Sequence, residues 1–320
     1  MMPESDNKNK MIVIEGPTAV GKSDIAVLAA KKLHTEVVSA DSIQVYKGLD
    51  IGSGKITPGE MMGIRHHMID IKEPEDEYDI AEFINDAGNC IRDINERGMI
   101  PIVAGGTGFY LQALVRDIDF SQGSPVTDYR EELALIAREK GNEYLHDMLR
   151  KVDPESARTI HPNNLKRVIR GLEYYKTTGK KISDKNDEDK HKKSPYDVLT
   201  FFIDMDRAAL YDRINLRVDK MLESGLVEEV ASLKERGLDR AGLTSMQGLG
   251  YKEILMYLNR EVSFEEAVLL LKKRTRRFAK RQLTWFSHND YDYHFMRENF
   301  EDNNEIAEKI CSLCREHFGI

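Results

Sequence analysis

The sequence predicts an α/β fold, a parallel sheet flanked by helices, with an inserted all-helical domain. Three observations carry that prediction: a glycine-rich turn between an apolar run and a helical pattern, strand–helix–strand alternation through the first third, and a strandless stretch from about 121 to 195. Apolar residues make up 41% of the 320-residue chain and charged ones 32%, a balance that buries a sizeable core and excludes a disordered chain. No run approaches the roughly 18 apolar residues of a membrane span. The polar start, Met1 to Lys10, has no apolar stretch of signal length behind it. Three cysteines, Cys90, Cys311 and Cys314, make no disulfide framework and point to a reducing, cytoplasmic setting.

Met11 to Glu15 is a short apolar run ending at Gly16, suited to a buried parallel strand. Lys22 to Leu33 follows with Ile25, Ala26, Leu28, Ala29 and Leu33 at helical spacing, and Glu36 to Ser39 reads as a second strand. Asp79 is placed to cap a helix over Ile80 to Arg97 that Gly98 stops, and Ile100 to Ala104 makes the next strand. Strand, helix, strand in this order implies parallel pairing with helices on the faces. Thr127–Lys140, Asn142–Val152 and Asn163–Thr178 read as helices, and the charged tract SDKNDEDKHKK after them as a mobile loop. Val198 to Ile203 returns to the sheet. The remainder reads as helical, including Ala208–Leu222, Leu226–Arg236 and a long helix opened by Ser263 with Glu266 as a capping box. The predicted organisation is a discontinuous core, residues 9–120 and 196–320, with the helical insertion at 121–195.

Gly16-Pro17-Thr18-Ala19-Val20-Gly21-Lys22-Ser23 completes the pattern G-x-x-x-x-G-K-[ST] between that first strand and helix. Its backbone N–H groups and the helix N-terminus form a cradle for a diphosphate or triphosphate. Lys22 would reach the terminal phosphate oxygens, and Ser23 would offer its hydroxyl to Mg²⁺. The sheet is therefore expected to be P-loop NTPase-like. A nucleotide-hydrolysing member shows an apolar strand ending in Asp; here the strand at Ile100–Ala104 runs into Gly105-Gly106-Thr107-Gly108, and His67-Met68-Ile69-Asp70 is a weak substitute. The best-placed acid is Asp41, just past the second strand. With Gln44 and Tyr46 it groups a proton acceptor, an amide and an aromatic ring, the set that takes a proton from a nucleophile and reads a base. A loop acid capping a helix is the alternative for Asp41.

Net charge is -8, from 47 basic and 55 acidic side chains, which at first argues against nucleic acid. The distribution argues otherwise. Residues 272–281, KKRTRRFAKR, hold seven bases and no acid, and a second basic stretch runs from Asn163 to Lys181. Phosphate binding follows the local field and not the total. Cys311, Cys314 and His317 share one helical face without a fourth ligand, which is too little for zinc.

Taken together, the motifs GPTAVGKS, ADSIQVYKGLDIGSGK, HHMIDI, PIVAGGTGFYL, DPESARTIHPNNLKRVIRGLE, LYDRINLRVDKML, MQGLGYKE and KRQLTWF resemble the tRNA dimethylallyltransferases, in the family's order and along nearly the whole chain. Ile56 replaces the proline usual after Lys55, Gly171 an alanine and Asn164 an aspartate; none is assigned to chemistry. The resemblance implies transfer from dimethylallyl diphosphate to N6 of the adenine just 3′ of the anticodon in tRNA, releasing diphosphate, with Mg²⁺ as cofactor and a monomer as the working unit. It implies Asp41 as the base, Lys22 and Arg217 on the diphosphate with Arg213 beside them, and Thr107 as an active-site hydroxyl. Arg213 and Arg217 are one helical turn apart, so both can face one anion; a surface ion pair is the alternative for either, and a plain turn residue for Thr107. Contacts to the tRNA anticodon stem-loop are expected from Asp41, Ser42, Ile43, Gln44 and Thr107. Further contacts are expected from Arg130 with Lys166, Arg167, Val168, Ile169 and Arg170, and from the turn Gln247, Gly248, Leu249, Gly250, Tyr251 and Lys252. The bases at 272–281 fit an RNA backbone and a solvated helix equally well. Competing readings are the same chemistry on free AMP, ADP or ATP, a nucleotide kinase sharing the phosphate loop, and a non-enzymatic RNA-binding module.

Overall fold

The computed structural model describes residues 8–120, 127–240 and 242–320; the first residues of the chain and the expected start of the insertion, Ser121, lie outside them. β1 (Lys10–Glu15) leads through the glycine-rich turn into α1 (Lys22–Leu33), then β2 (Val37–Ala40) and the two-residue β3 (His66–His67). α2 (Ile80–Glu96), β4 (Ile102–Gly105) and α3 (Gly108–Val115) follow. A helical run comes next: α4 (Thr127–Lys140), α5 (Asn142–Val152), α6 (Pro154–Thr159), α7 (Leu165–Thr178) and α8 (Ile182–His191). β5 (Asp197–Asp204) returns to the sheet, followed by α9 (Arg207–Glu223), α10 (Leu226–Glu235), a 3-10 turn at Ser245–Gln247, α11 (Tyr251–Leu258), α12 (Phe264–Phe286), β6 (Tyr293–Met296) and α13 (Asn303–Phe318).

The six strands form one parallel sheet in the order β3-β2-β4-β1-β5-β6. Alternation along β1 explains why helices cover both faces. Met11 and Val13 enter one core with Phe83, Ile91 and Val230, while Ile12 and Ile14 enter another with Ile25, Ile214 and Ile310. α2 begins as its sequence requires: the Asp79 carboxylate accepts the N–H groups of Ala81 and Glu82 at 2.8 and 3.0 Å, and Glu82 accepts the Asp79 N–H in return. A cap of this kind stabilises by about 1 kcal/mol. Ser263 and Glu266 form the same box on α12.

The chain divides into two compact units, Arg116–Ser194 and the remainder. The smaller unit is helical in its described residues and packs Leu133, Leu145, Leu149, Val168 and Leu172 into its own core. The charged tract after Thr178 is not a loop there but α8. Asp153 anchors its first turn, accepting the Ser183 N–H at 3.0 Å and the Ser183 hydroxyl at 2.7 Å, and Lys185 pairs with Asp189 one turn on. The Asp153 contact comes from thirty residues away in sequence, a tertiary tie that the composition of the tract does not reveal.

Two strands escaped the sequence. β3 is two histidines with no apolar run to announce it. β6 sits where only helix was expected, and its aromatic rings fasten it to β5, with Tyr293 stacked on Phe201 at 5.3 Å. No helix among the described residues is long and apolar enough to cross a membrane.

Candidate active site

Register brings the chemistry together. Glu15, Ala40 and Gly105 are aligned neighbours across β1, β2 and β4, so Gly16, Asp41 and the Gly106-Thr107 turn leave the sheet side by side at its carboxyl edge. Gly21 caps α1 in the left-handed conformation, and the loop from Gly16 to Ser23, including Pro17, Thr18, Ala19 and Val20, wraps the start of that helix. The Lys22 ammonium donates to the Pro17 carbonyl at 3.3 Å. Withdrawal from water and the Arg217 charge push Lys22 down from 10.5 to about 8, with Asp41 opposing. Withdrawal from water pushes the Glu15 carboxyl, buried at the strand end, up to about 8.

Two cavities open at this edge. One, of about 530 Å³, is lined by Lys22, Ser23, Asp24, Gly54, Arg213 and Arg217 among others. The second, of about 440 Å³, is lined by Asp41, Ser42, Ile43, Thr107, Gln247 and Lys252 among others. Arg217 and Met221 line both, so one guanidinium faces the phosphate loop and the Asp41 side together. Burial lowers the Arg217 pKa, while Asp41, Asp24 and Glu60 oppose that. Its one hydrogen bond is to the Gly54 carbonyl at 3.5 Å, and no carboxylate pairs with it among the described residues. Arg213 donates from Nε to the Ala19 carbonyl at 2.9 Å, bracing the phosphate loop. The expected common face of these two arginines is present.

Asp41 accepts the N–H groups of Ile43 and Gln44 on one oxygen, at 2.9 and 3.3 Å, which turns the chain and leaves the other oxygen without a hydrogen bond among the described residues. The capping alternative and the open carboxylate coexist. Gln44 is engaged by the protein and Tyr46 is withdrawn from the surface. Gln44 accepts the Ser39 hydroxyl and donates to the Gly54 carbonyl, and Tyr46 is fully buried in the core. Asp70, the weak metal substitute, pairs with Lys55 at 2.6 Å. Among the described residues no three His, Cys, Asp or Glu side chains are grouped to hold a metal. Cys311 and Cys314 are core residues, and His317 pairs with Asp197.

Several expected RNA contacts change meaning. Arg130 grips the fully buried Glu173 through Nε and Nη2 at 2.7 and 2.9 Å, and Arg170 reaches the same carboxylate at 3.0 Å. Their charge neutralises a buried acid, whose loss of partners would be expensive. Val168 is buried and Ile169 packs against the same helical core. Lys166 and Arg167 remain exposed, with no ion pair to a described residue. In the other unit Gly250 and Tyr251 are buried, while Gln247 is exposed and Gly248, Leu249 and Lys252 line the second cavity. α12 divides its bases. Lys272 and Arg274 pair with Asp219 and Glu253, and Arg276 donates to Asn215. Lys273, Arg277, Lys280 and Arg281 stay exposed, with Arg281 lining the Asp41 cavity.

Gln282, a buried residue of α12, is a functional candidate that sequence reasoning missed. Its amide oxygen accepts the Thr18 N–H at 2.9 Å and its amide nitrogen donates to the Gly106 carbonyl at 2.7 Å, tying the phosphate loop to the turn that carries Thr107. A polar residue at a buried seam position is the signal that marks it. Asp24 is a second omission: it faces Arg213, Arg217 and Arg297 with Glu60 nearby, and burial followed by Glu60 raises its pKa against those arginines.

The chain matches the IPP transferase family over residues 44–289. It is 47% identical over 306 residues to a tRNA dimethylallyltransferase of Lachnoclostridium phytofermentans, covering 96% of this chain and 97% of that one. A crystal structure of the full-length tRNA isopentenylpyrophosphate transferase from Bacillus halodurans is 42% identical, with a TM-score of 0.73 over 98% of this chain and 97% of that one. A eukaryotic dimethylallyltransferase acting on tRNA is 32% identical, with a TM-score of 0.82 over 97% of this chain and 80% of that one.

Proposed function

The chain belongs to the IPP transferase family, and from that premise we propose that it transfers a dimethylallyl group from dimethylallyl diphosphate to N6 of the adenine 3′-adjacent to the anticodon of tRNA, as a cytoplasmic monomer. The observation that carries this reading is Arg217 between two cavities, with the phosphate loop on one side and Asp41 and Thr107 on the other. A diphosphate and a nucleobase placed in them would meet at one guanidinium.

In this reading Asp41 takes a proton from N6 as the nitrogen forms its bond to C1 of the dimethylallyl group. The C1–O bond breaks, and its electrons go to the diphosphate. An amino group conjugated to a purine is a poor nucleophile, so the base contributes about 10²–10⁴-fold. Negative charge growing on the diphosphate meets the loop N–H groups, Lys22 and Arg217, fixed before the reaction begins. Thr107 would hold the base or the leaving oxygen. Mg²⁺ fits the donor set: the Ser23 hydroxyl, on the same cavity wall, would hold it together with oxygens of a bound diphosphate. When bound it would add charge neutralisation. The tRNA phosphates would lie on Lys166 and Arg167 in the helical unit and on Lys273, Arg277, Lys280 and Arg281 in the other. The neutral adenine must leave its stack, which is easiest from a loop.

The test is transfer of label from dimethylallyl diphosphate to unmodified tRNA, with AMP and with ATP plus a phosphate acceptor as parallel substrates. Label in tRNA alone is expected. Good tRNA binding with no label in it would end this reading, and label in AMP would favour the free-nucleotide enzymes.

Lys22 gives a pH prediction. Below about 8 its ammonium is charged and available to an anion; above that the free enzyme must take up a proton on binding. Affinity for inorganic diphosphate is therefore expected to fall as pH rises through 8, by up to about tenfold per unit. Calorimetric titrations from pH 7 to 9.5 on the wild type and Lys22→Arg measure it. Arginine stays charged throughout, so the difference between the two slopes isolates Lys22, and equal slopes would refute the assignment.

A further inference from the structure

One carboxylate outside the proposed chemistry joins two separate sequence motifs, ADSIQVYKGLDIGSGK and MQGLGYKE. Glu229, on α10, accepts the N–H groups of Asp50 and Ile51 on Oε2 at 3.1 and 2.7 Å, and that of Gly52 on Oε1 at 3.0 Å. The Tyr251 hydroxyl donates to the same Oε1 at 2.9 Å and itself accepts the Ser53 N–H at 3.1 Å. Four consecutive backbone donors thus converge on one acid–phenol pair. No cation pairs with Glu229 among the described residues; the N–H groups take that place, as they do around a bound anion. Tyr251 reaches this position because residue 52 is glycine: a Cβ there would lie 2.5 Å from the Tyr251 ring.

The segment held this way ends at Gly54, whose carbonyl receives Gln44 and Arg217. The Arg217 contact is long and weak, and among the described residues Arg217 has no carboxylate partner of its own. The charges of Asp41, Asp24 and Glu60 all act on it. What keeps the guanidinium between the two cavities is the surface it rests on, and Glu229 with Tyr251 fixes that surface. We propose that Glu229 and Tyr251 are a positioning pair for the group transfer, which hold residues 50–54 so that Arg217 stays aimed at the diphosphate. This rests on the transferase reading for its kinetic consequence, though not for its effect on diphosphate binding.

The pair is tested by a double-mutant cycle of Glu229→Gln with Arg217→Ala, read in two ways: affinity for inorganic diphosphate with Mg²⁺, and steady-state transfer to tRNA. Glutamine keeps the shape but turns an amide NH₂ toward N–H donors. Glu229→Gln alone is expected to weaken diphosphate binding and lower kcat by about 10-fold or more, with tRNA affinity within twofold, since a misplaced group costs rate steeply. In the Arg217→Ala background the same substitution should cost less than twofold. Tyr251→Phe keeps the ring against Gly52 and should lose about three- to tenfold, giving a second variant should Glu229→Gln fold poorly. Equal losses in both backgrounds, or a lowered melting temperature with unchanged kcat and diphosphate affinity, would overturn the proposal and make the pair purely structural. A wild type that binds diphosphate but prenylates no tRNA would refute the transferase reading instead, and the binding cycle would still decide this one.

Discussion

Asp41→Asn is expected to lose about 10²–10⁴-fold in kcat while tRNA affinity stays within a few-fold. Asparagine is the informative replacement because Asp41 has two tasks. One oxygen accepts the N–H groups of Ile43 and Gln44 and so shapes the turn; an amide oxygen can still do that. The other oxygen has no hydrogen-bond partner among the described residues and would be the one that receives the N6 proton. Asp41→Ala removes both and should lose the same rate plus some order at Ile43, which lines the same cavity. The two variants separated by single-turnover kinetics and tRNA binding distinguish base from scaffold: an affinity loss as large as the rate loss would make Asp41 a binding residue. A linked effect is expected at Lys22. Asp41 raises its pKa, so removing that charge should move the fall in diphosphate affinity to lower pH.

The second large effect belongs to a glycine. Gly54 has φ +60, and a Cβ built there would lie 1.6 Å from Nη2 and 2.7 Å from Cζ of Arg217. Gly54→Ala therefore displaces the guanidinium outright. The backbone strain of a left-handed alanine costs about 1 kcal/mol, a few degrees in melting temperature. The catalytic cost should be larger, about 10²-fold in kcat, the scale of losing one preorganised donor to a developing anion. Thermal melting beside steady-state transfer checks this, and a variant that melts lower yet transfers normally would show that Arg217 works from more than one position.

Much of this site was legible because local rules agree with one another. A four-residue apolar run, a glycine-rich turn and a helix with apolar spacing fixed β1, the phosphate loop and α1. Strand order then placed Asp41 and Thr107 beside them at the carboxyl edge. What stayed hidden depends on which face of a helix points inward. Lys166 and Val168 belong to one motif, yet one is exposed and the other buried. Tyr251 sits in a glycine turn expected to touch RNA and instead points into the core. Glu229 looks like any surface acid of an amphipathic helix, since nothing in its neighbours announces that residues 50–53 will bring their N–H groups to it. Arg130 and Glu173 are forty-three residues apart, and no local pattern predicts that they pair.

The strand order also bears on how the chain is made. β1 lies between β4 and β5, and Lys10 pairs with Asp197. A ribosome adding about 5–20 residues per second needs roughly 10–40 s to go from one to the other. Through that interval the central strand has at most one neighbour, β4, and its buried-strand edge is the kind that recruits foreign strands. The helices of the smaller unit emerge during the same interval and have a core of their own to close. The nascent protein therefore holds a finished piece and an unfinished sheet at once. A chaperone that shields apolar edges should raise the soluble yield on synthesis far more than it raises the yield of refolding from dilute denaturant.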